Sequence, residues 1–410
     1  MHLARERGRV FTGGSVPWPD AMRAAQHTSP ARFRTRMPAD YAPSDEPGQF
    51  SSGAFVGRRR TIALIRPTCE NGLVRALLCF LLGVSSLARG GESPAPNPPP
   101  PLDHLSLVRP ARYTGMCDAS GAVTVNSNLF VVADDEHNVL QVYRSDQPGG
   151  PVKQFDFNAF LEVHGKSLEA DLEGAARIGD RAFWIGSHGR NTDGKERLNR
   201  HRLFATDIIV NNGDVTLTPA GKPYKRLLED LLRDARFDQF HFAKAARHAP
   251  KELGALNIEG LSATPEGHLL IGFRNPVPSS KALLIPLLNP NEVIEGAPAR
   301  FDDAVMLDLG GRGIRDIAWH GGTYMIIAGS WHGGGNFQLY RWPGPGAKPE
   351  PLQVDHLNDY HPEALVIYPQ YGFKEFQVLS DDGTLLIDGC PCKDLKDPNQ
   401  RAFRTFWVVQ

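Results

Sequence analysis

Residues 172–188 read LEGAARIGDRAFWIGSH. An acid, Glu173, opens the stretch, a short apolar run follows, and Gly179 and Asp180 mark a tight turn. RAFWIG then leads to the polar pair Ser187 and His188. Two short β-rich runs around a Gly-Asp turn make a hairpin whose two ends share one side. The same order recurs in CDASGAVTVNSNLFVVADDE from Cys117, IEGLSATPEGHLLIGFR from Ile258, RDIAWHGGTYMIIAGS from Arg315 and PEALVIYPQYGFKEFQVLSDD from Pro362. Counted from the acids, Glu173 to Ser187, Glu259 to Phe273 and Asp316 to Ser330 each cover 14 residues. Glu363 to Ser380 covers 17 and Asp118 to Asp134 covers 16, so those turns are longer within one pattern.

Further strand-like runs follow each hairpin: VLQVY and KQFDF, HRLFATDI and VTLTP, ALLIPL and AVMLDL, FQLYRW and PLQVD. Four strands per repeat is the grammar of an all-β β-propeller. Five blades are expected; six would require a blade between Glu173 and Glu259. The last repeat supplies only three strands before Gln410, so HLSLVR at 104–109 is expected to complete it as an N-terminal closing strand, which removes an exposed seam. Tyr224, Leu227, Leu228, Leu231, Leu232 and Ala235 recur at helical spacing and predict a helical insertion within residues 221–253.

The propeller is expected over residues 103–410, preceded by a Pro-rich linker at 89–102. Residues 74–88, VRALLCFLLGVSSLA, carry an Arg, an apolar run and small residues in the order of a secretory signal peptide, and the run is too short to span a bilayer. Residues 1–73 hold no Lys and no sustained period, and are read as a non-native or disordered leader with translation starting at Leu73 or Val74. The expected product is exported, periplasmic or secreted, without stable membrane insertion, and monomeric. The first 102 residues carry 13 Arg and 7 acids, which leaves 32 basic and 39 acidic residues in the remainder, a net of −7. That balance argues against nucleic acid and for cationic partners or groups. After signal removal Cys117, Cys390 and Cys392 remain, so one disulfide of Cys117 with Cys390 or Cys392 is expected.

The loops at the hairpin ends share one face of a central funnel. Asp118, Glu173, Glu259, Asp316 and Glu363 are candidate ligands for a hard cation, calcium above all, because crowded carboxylates repel unless a cation or proton is shared. His188 and His361 are candidate acid–base residues. Arg190, Arg274, Asn275 and His332 are candidate contacts for a small anionic molecule. The bland reading of the repeated acids is hydrogen bonding to backbone donors in the turns. No nucleophile elbow, phosphate loop, HExxH helix or dinucleotide fingerprint occurs.

DLEGAARIGDRAFWIGSHGRN, NIEGLSATPEGHLLIGFRNP, GIRDIAW and HPEAL resemble the bacterial family catalogued as domain of unknown function 3616, from about Tyr113 to the end. The repeats are more distantly similar to esterase-like phytases and to gluconolactonase-type propellers. That resemblance implies a calcium-assisted ester or phosphoester hydrolase. A non-catalytic propeller binding a ligand or protein is the alternative.

Overall fold

RAFWIG behaves as a strand buried on both faces. Ala182 and Trp184 point into one apolar layer, while Phe183 and Ile185 point into the next, as a period of two dictates. Burying a side chain the size of Phe183 or Ile185 contributes about 1.5–3 kcal/mol. Both are fully buried.

The computed structural model describes residues 104–410. The leader, signal and linker expected at 1–73, 74–88 and 89–102 lie outside the described residues. Three separate antiparallel sheets have four strands each. The first holds Ala119–Thr124, Leu129–Asp134, Val139–Arg144 and Lys153–Asp156. The second holds Leu172–Ile178, Arg181–Gly186, Leu203–Asn211 and Asp214–Tyr224. The third holds Asn257–Ala263, Leu269–Asn275, Ala282–Leu287 and Val305–Leu307.

Leu386–Ile387 and Cys390–Pro391 form a small two-stranded hairpin, and the remaining strands form one eight-stranded sheet with two halves. The fourth unit is Gly313–His320, Thr323–Gly329, Gln338–Trp342 and Glu350–Val354. The fifth is Pro362–Val366, Glu375–Ser380, Ala402–Val409 and, at its outer edge, His104–Thr114. The first strand of the described chain thus completes the last unit, antiparallel to Ala402–Val409. Its start also joins the two halves, through the parallel pairs His104 with Gln353 and Leu105 with Val354.

The first strands of successive units touch in a closed circle, from Ala119–Thr124 through Leu172–Ile178, Asn257–Ala263, Gly313–His320 and Pro362–Val366 back to Ala119–Thr124. Apolar layers fill the spaces between consecutive units. The architecture is all-β and propeller-like. Near the axis the strands approach so closely that a Cβ on Gly260 would stand 2.5 Å from Ile314 Cγ2. This explains glycine after Glu259 without any chemistry.

The last strand of the second unit runs to Tyr224, and the helix occupies Leu227–Arg233, followed by a 3-10 turn at Ala235–Phe240 and a helical turn at Phe242–Ala245. Leu227, Leu228 and Leu231 bury with Phe237, Phe240 and Phe242 in the layer between the second and third units. Leu232, inside the helix, is 43% exposed and stays out of that layer. The insertion caps that layer. No helix of the described residues is long and apolar enough to cross a membrane.

Candidate functional site

Each first strand begins with a skip in pairing register. The skips fall between Leu172 and Gly174, Ile258 and Gly260, Ile314 and Asp316, and Pro362 and Ala364. The residues they leave unpaired are Glu173, Glu259, Arg315 and Glu363. In the first unit the irregularity covers Ser120 and Gly121. A bulge of this kind re-aims one side chain, here at corresponding places around the ring. In the fourth unit the position is held by Arg315, which moves Asp316 one residue out of register with Glu173.

Asp316 accordingly does a different job. Its Oδ2 accepts the Leu365 N–H at 2.7 Å, and it lines a cavity of about 400 Å³ walled by the far ends of the five first strands. Burial pushes its carboxyl up to about 8, opposed by the backbone N–H groups of Leu365 and Ile317. The group is therefore largely uncharged at neutral pH. Asp316→Asn, which takes up no proton on folding, should be more stable than wild type at pH 7, whereas Asp316→Ala orphans the Leu365 N–H and should be about 1–3 kcal/mol less stable than Asp316→Asn in urea denaturation.

Arg315 lies between two buried acids. Its Nη1 is 3.1 Å from Glu259 Oε2, its Nη2 pairs with Glu363, and the guanidinium stands 5.8 Å from the Phe337 ring centroid. Arg274 Nη1 donates to Glu259 Oε1 at 2.7 Å, and Asn257 Nδ2 donates to the same oxygen at 2.6 Å. Glu259 and Glu363 are thus neutralised by arginines, and Glu259 Oε1 also accepts the Asn257 amide. Among the described residues, Glu259, Asp316 and Glu363 fall in no group of three acids close enough to share a cation.

Carboxylates do converge on the side of the first two units. Single oxygens of Asp118, Asp135 and Glu136 lie within 4.8 Å of one another, as do those of Asp135, Asp171 and Glu173. Asp135 belongs to both groups, and its Oδ1 is buried with no hydrogen-bond partner. Burial pushes the Asp118 carboxyl up to about 9; Asp381 and Glu136 add to the rise and Lys393 opposes it. Asp135 and Glu173 are also driven well up, by burial first and then by neighbouring acids, Asp118 for Asp135 and Glu259 for Glu173. Arg200 holds Asp171 through a 2.7 Å contact and also pairs with Glu169. This donor set of oxygens alone suits a hard divalent cation. Asp118 and Glu173 belonged to the sequence-based ligand set; Asp135, Glu136 and Asp171 are added, and Glu259, Asp316 and Glu363 stand apart.

The other candidates divide between pinning and access. Arg190 Nε donates to Ala246 O at 2.8 Å and Nη1 to Gly194 O at 3.0 Å, stapling its loop to the insertion. Asn275 is buried and donates to Pro250 O and Glu252 O at 3.0 and 2.7 Å. Both side chains are engaged with backbone carbonyls. His332 is exposed beside Trp331. His361 places Nδ1 3.1 Å from Asp381 O, near the acid cluster's Asp381 neighbour. Cys117 is joined to Cys392, which ties the start of the first unit to the segment before the last strand.

His188 is buried, with Nδ1 2.8 Å from Gly186 O, its ring stacked on His201, and φ at 56°. Burial, then the His201 ring, hold it down to about 3, with Arg202 adding to them and the Gly186 carbonyl opposing. Such a ring is a poor proton carrier near neutrality. Unfolded histidine binds its proton near pH 6.5 while the folded one stays neutral, so its contribution is full above about pH 6.5 and falls as pH drops toward about 3. Against His188→Asn, a residue that tolerates positive φ, the wild type should lose about 1.4 kcal/mol by about pH 5.5 in chemical denaturation.

A family model described as Protein of unknown function (DUF3616) matches residues 118–206 and 215–364, more than half of the chain. The chain belongs to that family. No curated protein matches this DUF3616 chain. Among solved structures, it is similar to a glucose dehydrogenase-type oxidoreductase from Thermus thermophilus, at 11% identity and TM-score 0.37, covering 73% of this chain and 99% of that one. It is also similar to a luciferin-regenerating enzyme, at 10% identity and TM-score 0.35, covering 74% and 96%. A third is the GH43 protein BlXynB from Bacillus licheniformis, at 12% identity and TM-score 0.35, covering 65% and 49%. At these scores the likenesses carry no argument about the chemistry of the DUF3616 site.

Proposed function

We propose that this DUF3616 protein is an exported five-bladed propeller that binds calcium at Asp118, Asp135, Asp171 and Glu173 and hydrolyses an ester or phosphoester of a small anionic molecule. The observation that carries the reading is Asp135. Its buried Oδ1 lacks a partner while four other carboxylates lie around it, an arrangement that a divalent cation would relieve. Glu136 stands at the rim, where Lys393 Nζ approaches it at 3.4 Å.

A bound calcium would supply positive charge to polarise an ester oxygen. The chain's own part is orientation and proton transfer. His361 is tied to the Asp381 carbonyl through Nδ1 and keeps Nε2 as the second ring nitrogen for acid–base work. Export is supported by the signal-like order of residues 74–88 and by the Cys117–Cys392 disulfide, a feature of oxidising compartments. The circle of five first strands and the outer position of His104–Thr114 support five blades.

A binding propeller without turnover is the second reading, favoured by the closed network of Glu259, Arg274, Arg315 and Glu363, which fixes the polar groups opposite the acid cluster. The test is calcium-dependent thermal stabilisation measured beside turnover of p-nitrophenyl phosphate and of a simple lactone. Stabilisation with turnover supports the hydrolase. Stabilisation alone leaves the binding propeller, and absence of both removes the metal site.

A further inference from the structure

The mouth is electrically two-sided. Opposite the carboxylates of the first two units stand Arg274, Arg315 and Lys251. The two arginines have buried carboxylate partners in Glu259 and Glu363. Lys251 differs: among the described residues no carboxylate lies within 4.0 Å of its Nζ.

Lys251 occupies the turn between the helical insertion and Asn257–Ala263. The end of its side chain lies along Gly333, where a Cβ would stand 3.4 Å from Cδ and 3.5 Å from Cε and Nζ. Gly333 has φ at 92°, and its loop also receives Arg274 Nε, which donates to Ser330 O at 3.3 Å. The glycine therefore lets the loop lie against the lysine, and Trp331 and His332 flank the same place. Burial and the charges of Arg274 and Arg315 lower the Lys251 pKa, with Asp381 and Glu259 opposing. Asp381 is the remaining nearby acid, and its Oδ1 already accepts the Gly383 N–H at 2.9 Å. Beneath, Arg315 Nε is buried without a hydrogen-bond partner. Lys251, without a carboxylate partner, and the unused buried N–H of Arg315 Nε, within the electrostatic reach of Arg274, make a receptor for an oxyanion.

We propose that Lys251, with Arg274 and Arg315 behind it, receives the anionic end of the ligand, a phosphate or carboxylate group. The assignment rests on the mouth being a ligand site and extends it to a substrate class. Lys251 supplies the net charge the anion meets, and the arginines, whose charges Glu259 and Glu363 balance, supply N–H donors held in place. The opposite acids keep anions from their own side unless a cation covers them.

The test is calorimetric titration of the full chain with inorganic phosphate and, separately, with acetate, each with and without calcium, in wild type, Lys251→Met, Lys251→Arg and the exposed control Lys195→Met. Phosphate or acetate affinity should fall about tenfold or more in Lys251→Met, return to within about threefold in Lys251→Arg and stay unchanged in Lys195→Met. Whichever anion binds more tightly identifies the group. Equal binding by wild type and Lys251→Met, or no binding of either anion to wild type under both conditions, overturns the proposal. Lys251-dependent anion binding without calcium binding keeps the anion site and removes the metal reading. Calcium binding with anion binding indifferent to Lys251 does the reverse.

Discussion

Arg315→Met is expected to lower folding stability by about 3–5 kcal/mol in urea denaturation, the largest loss foreseen for a single side chain at the mouth. Methionine replaces the aliphatic volume but not the charge. Glu259 would keep Arg274 at 2.7 Å, whereas Glu363, only 5% exposed, would lose the guanidinium it is paired with. Removing one partner of a buried pair costs more than the pair itself contributes, because the other charge stays desolvated. The compensating change therefore decides the mechanism. Glu363→Gln added to Arg315→Met should recover at least half of the loss, with a coupling energy on the order of 1–3 kcal/mol in the double-mutant cycle. A loss under about 1 kcal/mol for Arg315→Met, or no recovery in the double variant, would show that the network does not hold the ring.

Arg315 also marks where the sequence was hardest to read. Alternation in RAFWIG, the closing strand near His104 and the four-strand grammar were legible because they depend on short periods and on strand count. Counting between acids aligned Asp316 with Glu173, since nothing in the spacing reports a one-residue bulge. The usable signal was the apolar residue before the bulge: Leu172, Ile258 and Ile314 align, and the next positions are then Glu173, Glu259 and Arg315. That Asp135 and Asp171 share one site was hidden for another reason. They come from different units, and their approach depends on how two sheets pack rather than on any local pattern. Cys392 is buried while Cys390 pairs with Ile387 in a two-stranded hairpin, a choice the CPC spacing could not make. The helix was legible in kind but shorter than its apolar spacing suggested, because Tyr224 ends the preceding strand and Ala235 opens a 3-10 turn.

Asp135→Asn should change stability in opposite directions with and without calcium. In the metal-free protein Asp135 is surrounded by Asp118, Glu173, Asp171 and Asp381, all of which disfavour its charge. An amide of the same shape relieves that repulsion and offers a donor to the neighbouring oxygens, so the apo melting temperature should rise, by the equivalent of about 1 kcal/mol. Calcium affinity should fall on the order of 100-fold, since the residue common to both carboxylate groups would lose its charge. The calcium-induced rise in melting temperature seen in wild type would then vanish at the same ion concentration. Glu136→Gln should have a smaller effect, because Glu136 lies at the rim and is partly neutralised by Lys393. Glu259→Gln separates this ligand set from the five repeated acids: its partners are Arg274 and Arg315, so it should alter stability while leaving calcium affinity within about threefold. Calcium binding that survives Asp135→Asn but is lost in Glu259→Gln would move the metal to the ring itself. A metal-free Asp135→Asn protein less stable than wild type would mean that Asp135 is held by hydrogen bonds rather than strained by its neighbours, and the cation would then have nothing to relieve.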